Sequence, residues 1–355
     1  MSLHFEPQAL EDQLTQLFEA AGSQPGEARA VAANLVLANL SGHDSHGIGM
    51  APRYIDAICE GGLTPNTTVR MRTDHGMLLG LDGQRGFGQT VGAQAMELAF
   101  ERVRQHGACI FSLSHAHHLG RIGHFAEMAV AQEWISLHFV NVRSRPVVAA
   151  WQGGDGRFGT NPCCIGIPMG LGADRREPFV LDFATSRVAQ GKMRVAHNQG
   201  KAVEPGTLID EHGHPTTRPG VVVVPQSNGR YGALMPFGEH KGFGLAVACE
   251  LLGGALSGGG TWHQEADDRR SVYNGMLGMV IDPKALGMAE SFSKEALAFA
   301  DWLAASPAAP GTEGVQLAGA PERAARQARR SAGIEVDDNT WAEIVAAGAK
   351  VGHKI

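Results

Sequence analysis

The stretch ACIFSLSHAHHLGRIGHFAEMAVAQEWISLHFVNV, residues 108–142, indicates the fold class. It begins with a short apolar run, continues into a segment whose composition favours a helix, and ends in a second apolar run. A strand, a helix and a strand in this order are typical of an α/β layer. The connection after the first strand contains His115, His117, His118 and His124. It is a strand-to-helix transition, the place where α/β proteins bind ligands.

Strand patterns recur on both sides of this stretch. Residues 68–82, TVRMRTDHGMLLGLD, predict a β-hairpin with a glycine in its turn. Residues 206–217, GTLIDEHGHPTT, and 220–225, GVVVVP, predict a second group of short strands. Residues 240–256, HKGFGLAVACELLGGAL, form a strongly apolar segment that predicts a helix. The middle of the chain is therefore predicted to be an α/β domain.

Both ends of the chain read as helical. Residues 6–40 predict two helices, 51–60 a third that stops at a glycine pair, and the chain turns helical again after about residue 285. Because chain ends tend to meet, we expect 1–70 plus 285–355 to form one helical domain beside an α/β domain at 71–284.

Composition excludes several classes of protein. The 355 residues carry a formal net charge of −6, which argues against a nucleic-acid-binding surface. No apolar run of 18 residues is present and the N-terminus has no signal-peptide pattern, so neither a membrane span nor secretion is expected. The five cysteines include no C-x-x-C pair, which favours a reducing, cytoplasmic location.

No standard nucleotide-binding fingerprint is present. No G-x-G-x-x-G opens a helix after a strand, and no P-loop sequence occurs. Two small-residue turns offer an alternative: DFATS at 182–186, followed by Lys192, and EHKGFG at 239–244, which contains Lys241. Free backbone N–H groups at a helix start, with a lysine beside them, suit a phosphate. The other interpretation is an ordinary helix start with a solvated lysine.

The segment SGHDSHGIGM, residues 41–50, has three interpretations: a metal site, a proton-transfer site or a helix end. Its histidines, with those at 115–124, are numerous enough for a metal, but their spacing matches no known metal motif. For proton transfer, an imidazole titrates near neutral pH, and Ser45 could orient it. Gly47 would leave room for a ligand, and Asp44 would favour the charged imidazole.

Several pieces of the chain together resemble the malate/lactate/ureidoglycolate dehydrogenase family, and within it most of all the hydroxycarboxylate dehydrogenase B branch. The pieces are LANLSGHDSHGIGMAPRYI, LDGQRGFGQ, HHLGRIGHFAE, RFGTNP, LDFATS, GEHKGFGLA, LLGGALSGG and VIDP. The resemblance implies a mixed-sheet NAD(P)-binding domain of the malate/L-sulfolactate dehydrogenase-like type, not a Rossmann fold, with a helical domain formed by both chain ends. It implies no catalytic metal and a homodimer.

The resemblance also assigns roles to individual residues. It places the general acid/base at His46, with Ser45 of the same motif as a catalytic residue, and a second histidine at His118 near the reacting carbon. It places a substrate-binding tyrosine at position 54 (Tyr54). With Lys192 from the pattern above, the cofactor-binding residues are then Asp182, Phe183, Ala184, Thr185, Ser186, Lys192, His240, Lys241 and Gly319.

One position departs from the family pattern. Many relatives have an arginine four residues after the S-H-G histidine, where it can hold the substrate carboxylate, whereas this chain has Met50. An arginine–carboxylate pair is a strong interaction, so we expect a replacement and place it at Arg121. Arg53, Arg143 and Arg145 are the rival candidates. Met50 itself would provide an apolar surface for a bulkier substrate tail.

These residues predict an NAD(P)-dependent 2-hydroxyacid dehydrogenase acting on CH–OH groups. It would transfer a hydride reversibly between NAD(H) and a 2-oxo/2-hydroxy carboxylate such as 2-oxoglutarate, phenylpyruvate, malate or lactate. NADP stays possible, because no pocket for a 2′-phosphate can be placed from the sequence. The alternatives are an NADPH-dependent cyclic imine reductase, a ureidoglycolate dehydrogenase, and a non-catalytic dinucleotide-binding sensor.

Overall fold

The protein is represented by a computed structural model that describes residues 2–263 and 271–355. The strands are β1 (Ser2–Phe5), β2 (Arg70–His75), β3 (Leu78–Asp82), β4 (Ala108–His117), β5 (Ile135–Arg143), β6 (Val148–Ala149), β7 (Gly156–Phe158), β8 (Cys163–Met169), β9 (Arg176–Phe183), β10 (Leu208–Ile209), β11 (Pro215–Thr216), β12 (Ala233–Leu234), β13 (Tyr273–Ile281) and β14 (Ile334–Asp337). The helices are α1 (Pro7–Ala20), α2 (Pro25–Leu40), α3 (Ala51–Cys59), α4 (Gly88–His106), α5 (Gly123–Ala131), α6 (Gln190–Asn198), α7 (Gly220–Val223), α8 (His240–Cys249), α9 (Ala289–Ala304), α10 (Ala320–Ala332) and α11 (Asp338–Lys350).

A seven-stranded mixed sheet of order β2-β3-β4-β13-β5-β8-β9 forms the centre of the molecule. Its β3–β4 pair is parallel and its other pairs are antiparallel. Helices α4 and α5 cover one face, and their apolar residues share a core with Phe111, Leu113 and Val140 of the strands. The prediction of an α/β fold with a mixed sheet is thus confirmed, and β13 lies between the two strands that flank α5.

The two ends of the chain meet. Strand β1 pairs antiparallel with β14, from Ser2 opposite Asp337 to Phe5 opposite Ile334. Residues of α1, α2 and α3 share a second apolar core with Ile334 and with Ile344 of α11. Helix α9 lies elsewhere, against the turn between β8 and β9, where the hydroxyl of Ser293 accepts a hydrogen bond from the Leu171 N–H. The domain boundaries at residues 70 and 285 remain predictions.

A third lobe contains a five-stranded sheet of order β11-β10-β12-β6-β7 and a core of its own. The segment GVVVVP, predicted to be a strand, lies here as the helix α7, so this prediction is wrong. Pro219 precedes its first residue, and the Val224 N–H closes a helical turn on the carbonyl of Gly220. Burial of Val221 and Val222 in the lobe's core outweighs the preference of β-branched residues for strands.

The predicted helix at 240–256 changes form part-way. Helix α8 is followed directly by a π-helical segment, Glu250–Leu256. Gly253 and Gly254 lie against Asn141 of β5, so closely that a side chain at either position would collide with it. The wider turn brings the backbone of these glycines onto the sheet. None of the helices within residues 2–263 and 271–355 could cross a lipid bilayer.

Candidate active site

Two imidazole rings from distant parts of the chain stack where the helical core meets the central sheet. His46 ends a 3₁₀ turn, Asp44–His46, between α2 and α3, and His118 follows the last residue of β4. Their ring centroids are 5.6 Å apart and their planes differ by 15°. The structure therefore brings together the two histidines that the resemblance assigns to the reaction.

Each of these rings is held at the same nitrogen. The Ser45 hydroxyl lies 3.0 Å from Nδ1 of His46, and the Tyr54 hydroxyl lies 2.7 Å from Nδ1 of His118. Among the described residues, Nε2 of either ring has no hydrogen-bond partner. Both histidines thus keep one nitrogen available to a substrate.

Tyr54 is fully buried on α3, and burial raises the pKa of its hydroxyl. Its Oη accepts a 2.8 Å hydrogen bond from Nε2 of Gln89, the second residue of α4. The tyrosine ring also makes edge contacts with His117 and Phe87, at centroid distances of 5.4 and 5.8 Å. Packing on all sides therefore fixes the hydroxyl that holds His118.

Both imidazoles are neutral at neutral pH. Desolvation lowers the pKa of His46 to about 4, and the positive charges of His43 and Arg121 act in the same direction. Desolvation also lowers the pKa of His118 well below its ordinary value, with further contributions from neighbouring histidines and Arg53. Neutral imidazoles can accept a proton directly, and a bound carboxylate would favour their charged form.

The loop that carries His46 is tied to helices on both sides. Asn39 of α2 accepts a 2.8 Å hydrogen bond from the Ile48 N–H and donates one of 2.7 Å to Asp44. Arg329 of α10 binds both carboxylate oxygens of Asp44, at 2.6 and 3.1 Å. The expectation that Asp44 favours a charged imidazole is therefore wrong: its charge is paired with Arg329, and the pKa of His46 falls.

Gly47 has a structural reason that the sequence did not reveal. A Cβ at this position would lie 2.0 Å from Oδ1 of Asn39. Any side chain would displace the asparagine that holds the loop from inside. Gly47 therefore makes room for Asn39.

Arg121 is buried beside this site. Its side chain is 2% exposed and forms an ion pair with Glu127, which also binds Arg326 of α10. The guanidinium lies close to Asp182 and lowers the pKa of that carboxyl, which burial raises. Its charge is thus shared with two carboxylates on the side of the site formed by β9 and α10.

The rival arginines differ in their surroundings. Arg143 donates to the Gly259 carbonyl, and Arg145 donates to the Val222 carbonyl while its guanidinium lies 3.8 Å from the ring centroid of Tyr231. Arg53, on α3 next to Tyr54, is partly exposed, and its charge lowers the pKa values of His117 and His118. Among the residues that the structure describes, Arg53 is therefore a cation on the His118 side of the site.

Several predicted cofactor residues surround the same junction. The Asp182 carboxylate accepts a 2.7 Å hydrogen bond from the Gly123 N–H, at the start of α5. Gly319 directly precedes α10 and has a φ of +92°, and a Cβ there would lie 2.7 Å from Arg323. The preceding residue, Ala318, accepts a 3.2 Å hydrogen bond from the Val180 N–H of β9. The starts of α5 and α10 thus adjoin the end of β9.

The remaining residues of the 182–186 turn serve mainly to shape it. The Thr185 hydroxyl donates to the carbonyls of Thr160 and Asn161, and the Ser186 hydroxyl donates to the Val188 carbonyl. Phe183 packs edge-on against Phe237 at 5.6 Å, and Ala184 is partly buried. These side chains bind protein, which leaves the backbone of the turn for a ligand.

The predicted cations are exposed near this turn. The Thr185 carbonyl accepts from the Phe237 N–H, which brings the turn close to His240 and Lys241 at the start of α8. Both of these side chains are exposed. Lys192, also exposed, lies on α6, whose Gly191 is so near Ser45 that a Cβ there would lie 2.6 Å from the serine Cβ.

This set of residues fits a nicotinamide dinucleotide. It combines a partly buried carboxylate, exposed cations at two helix starts and a stacked pair of imidazoles, as a ligand with phosphates and a reactive ring requires. Met50, by contrast, is partly buried against the core of the helical ends. Within residues 2–263 and 271–355, no group of three or more His, Cys, Asp or Glu side chains could hold a metal ion.

Comparison with known proteins identifies the family to which this chain belongs. The family model described as malate/L-lactate dehydrogenase matches residues 5–345. The chain belongs to the malate/L-lactate dehydrogenase family. It is 42% identical to hydroxycarboxylate dehydrogenase B of Escherichia coli O157:H7, over 98% of this chain and 94% of that protein. It is 40% identical to an L-lactate dehydrogenase of Cupriavidus necator, over 93% of both chains.

A solved structure of this family has the same fold. Sulfolactate dehydrogenase from Methanocaldococcus jannaschii is 29% identical, covers 100% of this chain and 98% of its own, and superposes with a TM-score of 0.85. The malate/L-lactate dehydrogenase family acts on hydroxy acids with a nicotinamide cofactor, so this protein is an oxidoreductase of that kind. The predictions of the family, the fold and an enzyme are confirmed.

Three residues of the site were not identified from the sequence. Arg329 and Gln89 reach the His46 loop and Tyr54 through contacts between distant segments, whereas Asn39 lies only five residues before Asp44, to which it donates. Signals existed for two of them, since Asn39 lies in the piece LANLSGHDSHGIGMAPRYI and Gln89 ends the piece LDGQRGFGQ, both of which contribute to the family resemblance.

Proposed function

We propose that this enzyme transfers a hydride reversibly between NAD(H) and a 2-oxo/2-hydroxy carboxylate, with His46 as its proton donor and acceptor. The observation that carries the proposal is the stacked pair of His46 and His118, each held at Nδ1 with Nε2 available. A hydroxy acid dehydrogenase needs one group that exchanges a proton with the substrate oxygen and one that steadies its developing charge.

The proposed reaction uses residues of the helical core and residues that adjoin the central sheet. Asp182, Lys241, Lys192 and the turn at 182–186 would hold the cofactor, which supplies or accepts the hydride when bound. His46 gives a proton to the substrate oxygen during reduction and takes it back during oxidation. Ser45 holds the ring of His46, and Tyr54 holds that of His118.

The test of this function is a panel of substrates with NADH and NADPH. We expect NADH to be oxidised with a 2-oxo acid such as 2-oxoglutarate, phenylpyruvate, oxaloacetate or pyruvate, and to be less well replaced by NADPH. Turnover only of cyclic imines with NADPH, or only of ureidoglycolate, would support the alternative enzymes. Tight NADH binding without any turnover would support a dinucleotide sensor.

The substrate carboxylate is better matched to Arg53 than to Arg121. Arg53 is partly exposed and acts on His118, whereas the side chain of Arg121 is only 2% exposed. We expect Arg53→Ala to raise KM for a 2-oxo acid about 10–100-fold, since a hydrogen bond to a charged group contributes about 1.5–3 kcal/mol. Steady-state kinetics measure this effect.

Arg121→Ala serves as the comparison. It should change KM for the 2-oxo acid less than threefold, but lower the melting temperature because Glu127 loses a buried partner. The reverse outcome, a KM that rises in Arg121→Ala and stays constant in Arg53→Ala, would return the carboxylate to Arg121.

We also propose a homodimer in a reducing, cytoplasmic compartment. The face of the central sheet opposite α5 exposes part of an apolar row, in which Leu137, Ile165 and Leu181 lie side by side across three strands. A second copy of the chain would bury this row. All five cysteines are free thiols, which supports a reducing compartment. Sedimentation equilibrium distinguishes the dimer from a monomer.

A further inference from the structure

Gln89 is a buried polar side chain of the site for which the proposed reaction gives no role. It is 3% exposed, at the start of α4. Its Nε2 donates to the Tyr54 hydroxyl at 2.8 Å, and that hydroxyl lies 2.7 Å from Nδ1 of His118. These three side chains form a continuous relay that ends at the second imidazole.

The number of hydrogens in this relay decides which atom donates and which accepts in each of its hydrogen bonds. A tyrosine hydroxyl has a single hydrogen to donate, and Tyr54 is fully buried, so that hydrogen needs a partner within the protein. Because the Gln89 amide already donates to Oη, the hydroxyl hydrogen is directed to Nδ1 of His118. That nitrogen then carries the lone pair, and a neutral His118 carries its hydrogen on Nε2.

We propose that Gln89 is a positioning residue which, through Tyr54, fixes His118 as the Nε2–H tautomer, so that His118 faces the substrate as a hydrogen-bond donor and leaves proton exchange to His46. This inference rests on the proposed function, and it divides the work between two rings that are otherwise alike.

The surroundings of His118 favour the same division. Burial of this ring disfavours its charged form, and electrostatic interactions with His46, His117 and Arg53 act in the same direction, so its pKa lies well below the ordinary value. His118 therefore stays neutral and donates a hydrogen bond to the substrate oxygen.

His46 is held differently. Its partner is the exposed Ser45, whose hydroxyl can either donate or accept. His46 is thus free to gain and lose a proton at Nε2, as reversible catalysis requires.

The tautomer can be observed directly by ¹⁵N NMR of the histidine side chains. Protonated and unprotonated ring nitrogens have separate resonances, and His118→Asn identifies those of His118. In the wild-type enzyme we expect a protonated Nε2 and an unprotonated Nδ1. In Gln89→Leu and in Tyr54→Phe, both nitrogens should move toward the average of the two tautomers, because nothing then fixes the direction of the relay.

Kinetics provide a second readout. We expect Gln89→Leu to lower kcat for reduction about fivefold with KM unchanged, because one net hydrogen bond in the transition state is weakened. Gln94→Glu is the matched control, since it lies on the same helix and keeps an acceptor for the Val69 N–H. It should leave both the His118 resonances and kcat as in the wild type.

Two results would overturn the inference. One is a wild-type His118 protonated on Nδ1, which would mean that the Gln89 amide faces Tyr54 with its oxygen and the relay runs in reverse. The other is a folded Gln89→Leu enzyme with the wild-type tautomer and kcat. Neither depends on which substrate is turned over, so a failure of the proposed function is recognised separately, by the substrate panel.

Discussion

His46→Ala is expected to lower kcat by about 10²–10⁴-fold at neutral pH, the usual contribution of a positioned proton donor or acceptor. His118 does not compensate, because its Nδ1 is bound to Tyr54, and burial together with the charge of Arg53 opposes its protonation. Steady-state rates of NADH oxidation with a 2-oxo acid measure the loss.

The pH profile of the wild-type enzyme checks the same assignment. The pKa of His46 is about 4, so the ring is already a base throughout the neutral range. For oxidation of the hydroxy acid, kcat/KM should stay level as the pH falls from 8 to 5 and decline only near 4. For reduction, which needs the protonated ring, kcat/KM should rise as the pH falls over the same range.

The control for His46→Ala is His212→Ala, which removes an exposed imidazole on the third lobe. It should leave kcat unchanged. A His46→Ala enzyme with near-normal kcat at neutral pH would contradict the assignment and move the proton transfer to another group.

Acidification from pH 7 to pH 5 is expected to destabilise the protein by about 4 kcal/mol through two buried histidines. His117 and His138 are fully buried, and desolvation lowers their pKa values to about 3 and about 4. In the unfolded chain the same residues titrate near 6.5. Below that pH the unfolded state binds more protons than the folded state. The contribution of these two histidines to the free energy of unfolding is therefore fully present above about pH 6.5 and is lost as the pH falls.

Each of these histidines contributes about 2 kcal/mol between pH 7 and pH 5, which urea titrations at the two pH values measure. The lowered pKa values of His46 and His118 add to this loss, and the carboxyls of Asp182 and Glu250, whose pKa values burial raises, act in the opposite direction. The double variant His117→Gln, His138→Gln therefore isolates the histidines: its loss of stability on acidification should be about 4 kcal/mol smaller than that of the wild type. An equal loss in both proteins would show that the two rings do not titrate as described.

Local patterns predicted the layers of the fold and the position of most elements. The strand–helix–strand order of residues 108–142 appears as β4, α5 and β5, and the hairpin at 68–82 appears as β2 and β3. The insertion of β13 between β4 and β5 could not be predicted, because it pairs residues that are far apart in the chain. The helix α7 shows the same limit, since tertiary burial decided the state of a valine run that is typical of strands.

The site divides in the same way. Family resemblance indicated His46, His118 and Tyr54, and the structure places these side chains next to one another. The family resemblance did not indicate which arginine acts on His118, or that Gln89 binds Tyr54. Those facts depend on the packing of α3 and α4 against the end of β4, which no spacing in a single segment encodes.

Two contacts between the ends of the chain, the pairing of β1 with β14 and the hydrogen bonds from Arg329 to Asp44, affect when the enzyme can finish folding during synthesis. Residues 2–5 and the loop at 41–47 leave the ribosome early, but the partners that secure them are translated more than 280 positions later. Until then the apolar core that α1, α2 and α3 share with β14 and α11 is incomplete, and the loop at 41–47 lacks its contact with Arg329. Activity therefore awaits nearly the whole polypeptide, since a chain that stops before α10 would contain the side chains proposed for catalysis but would lack Arg329, which holds Asp44 beside His46.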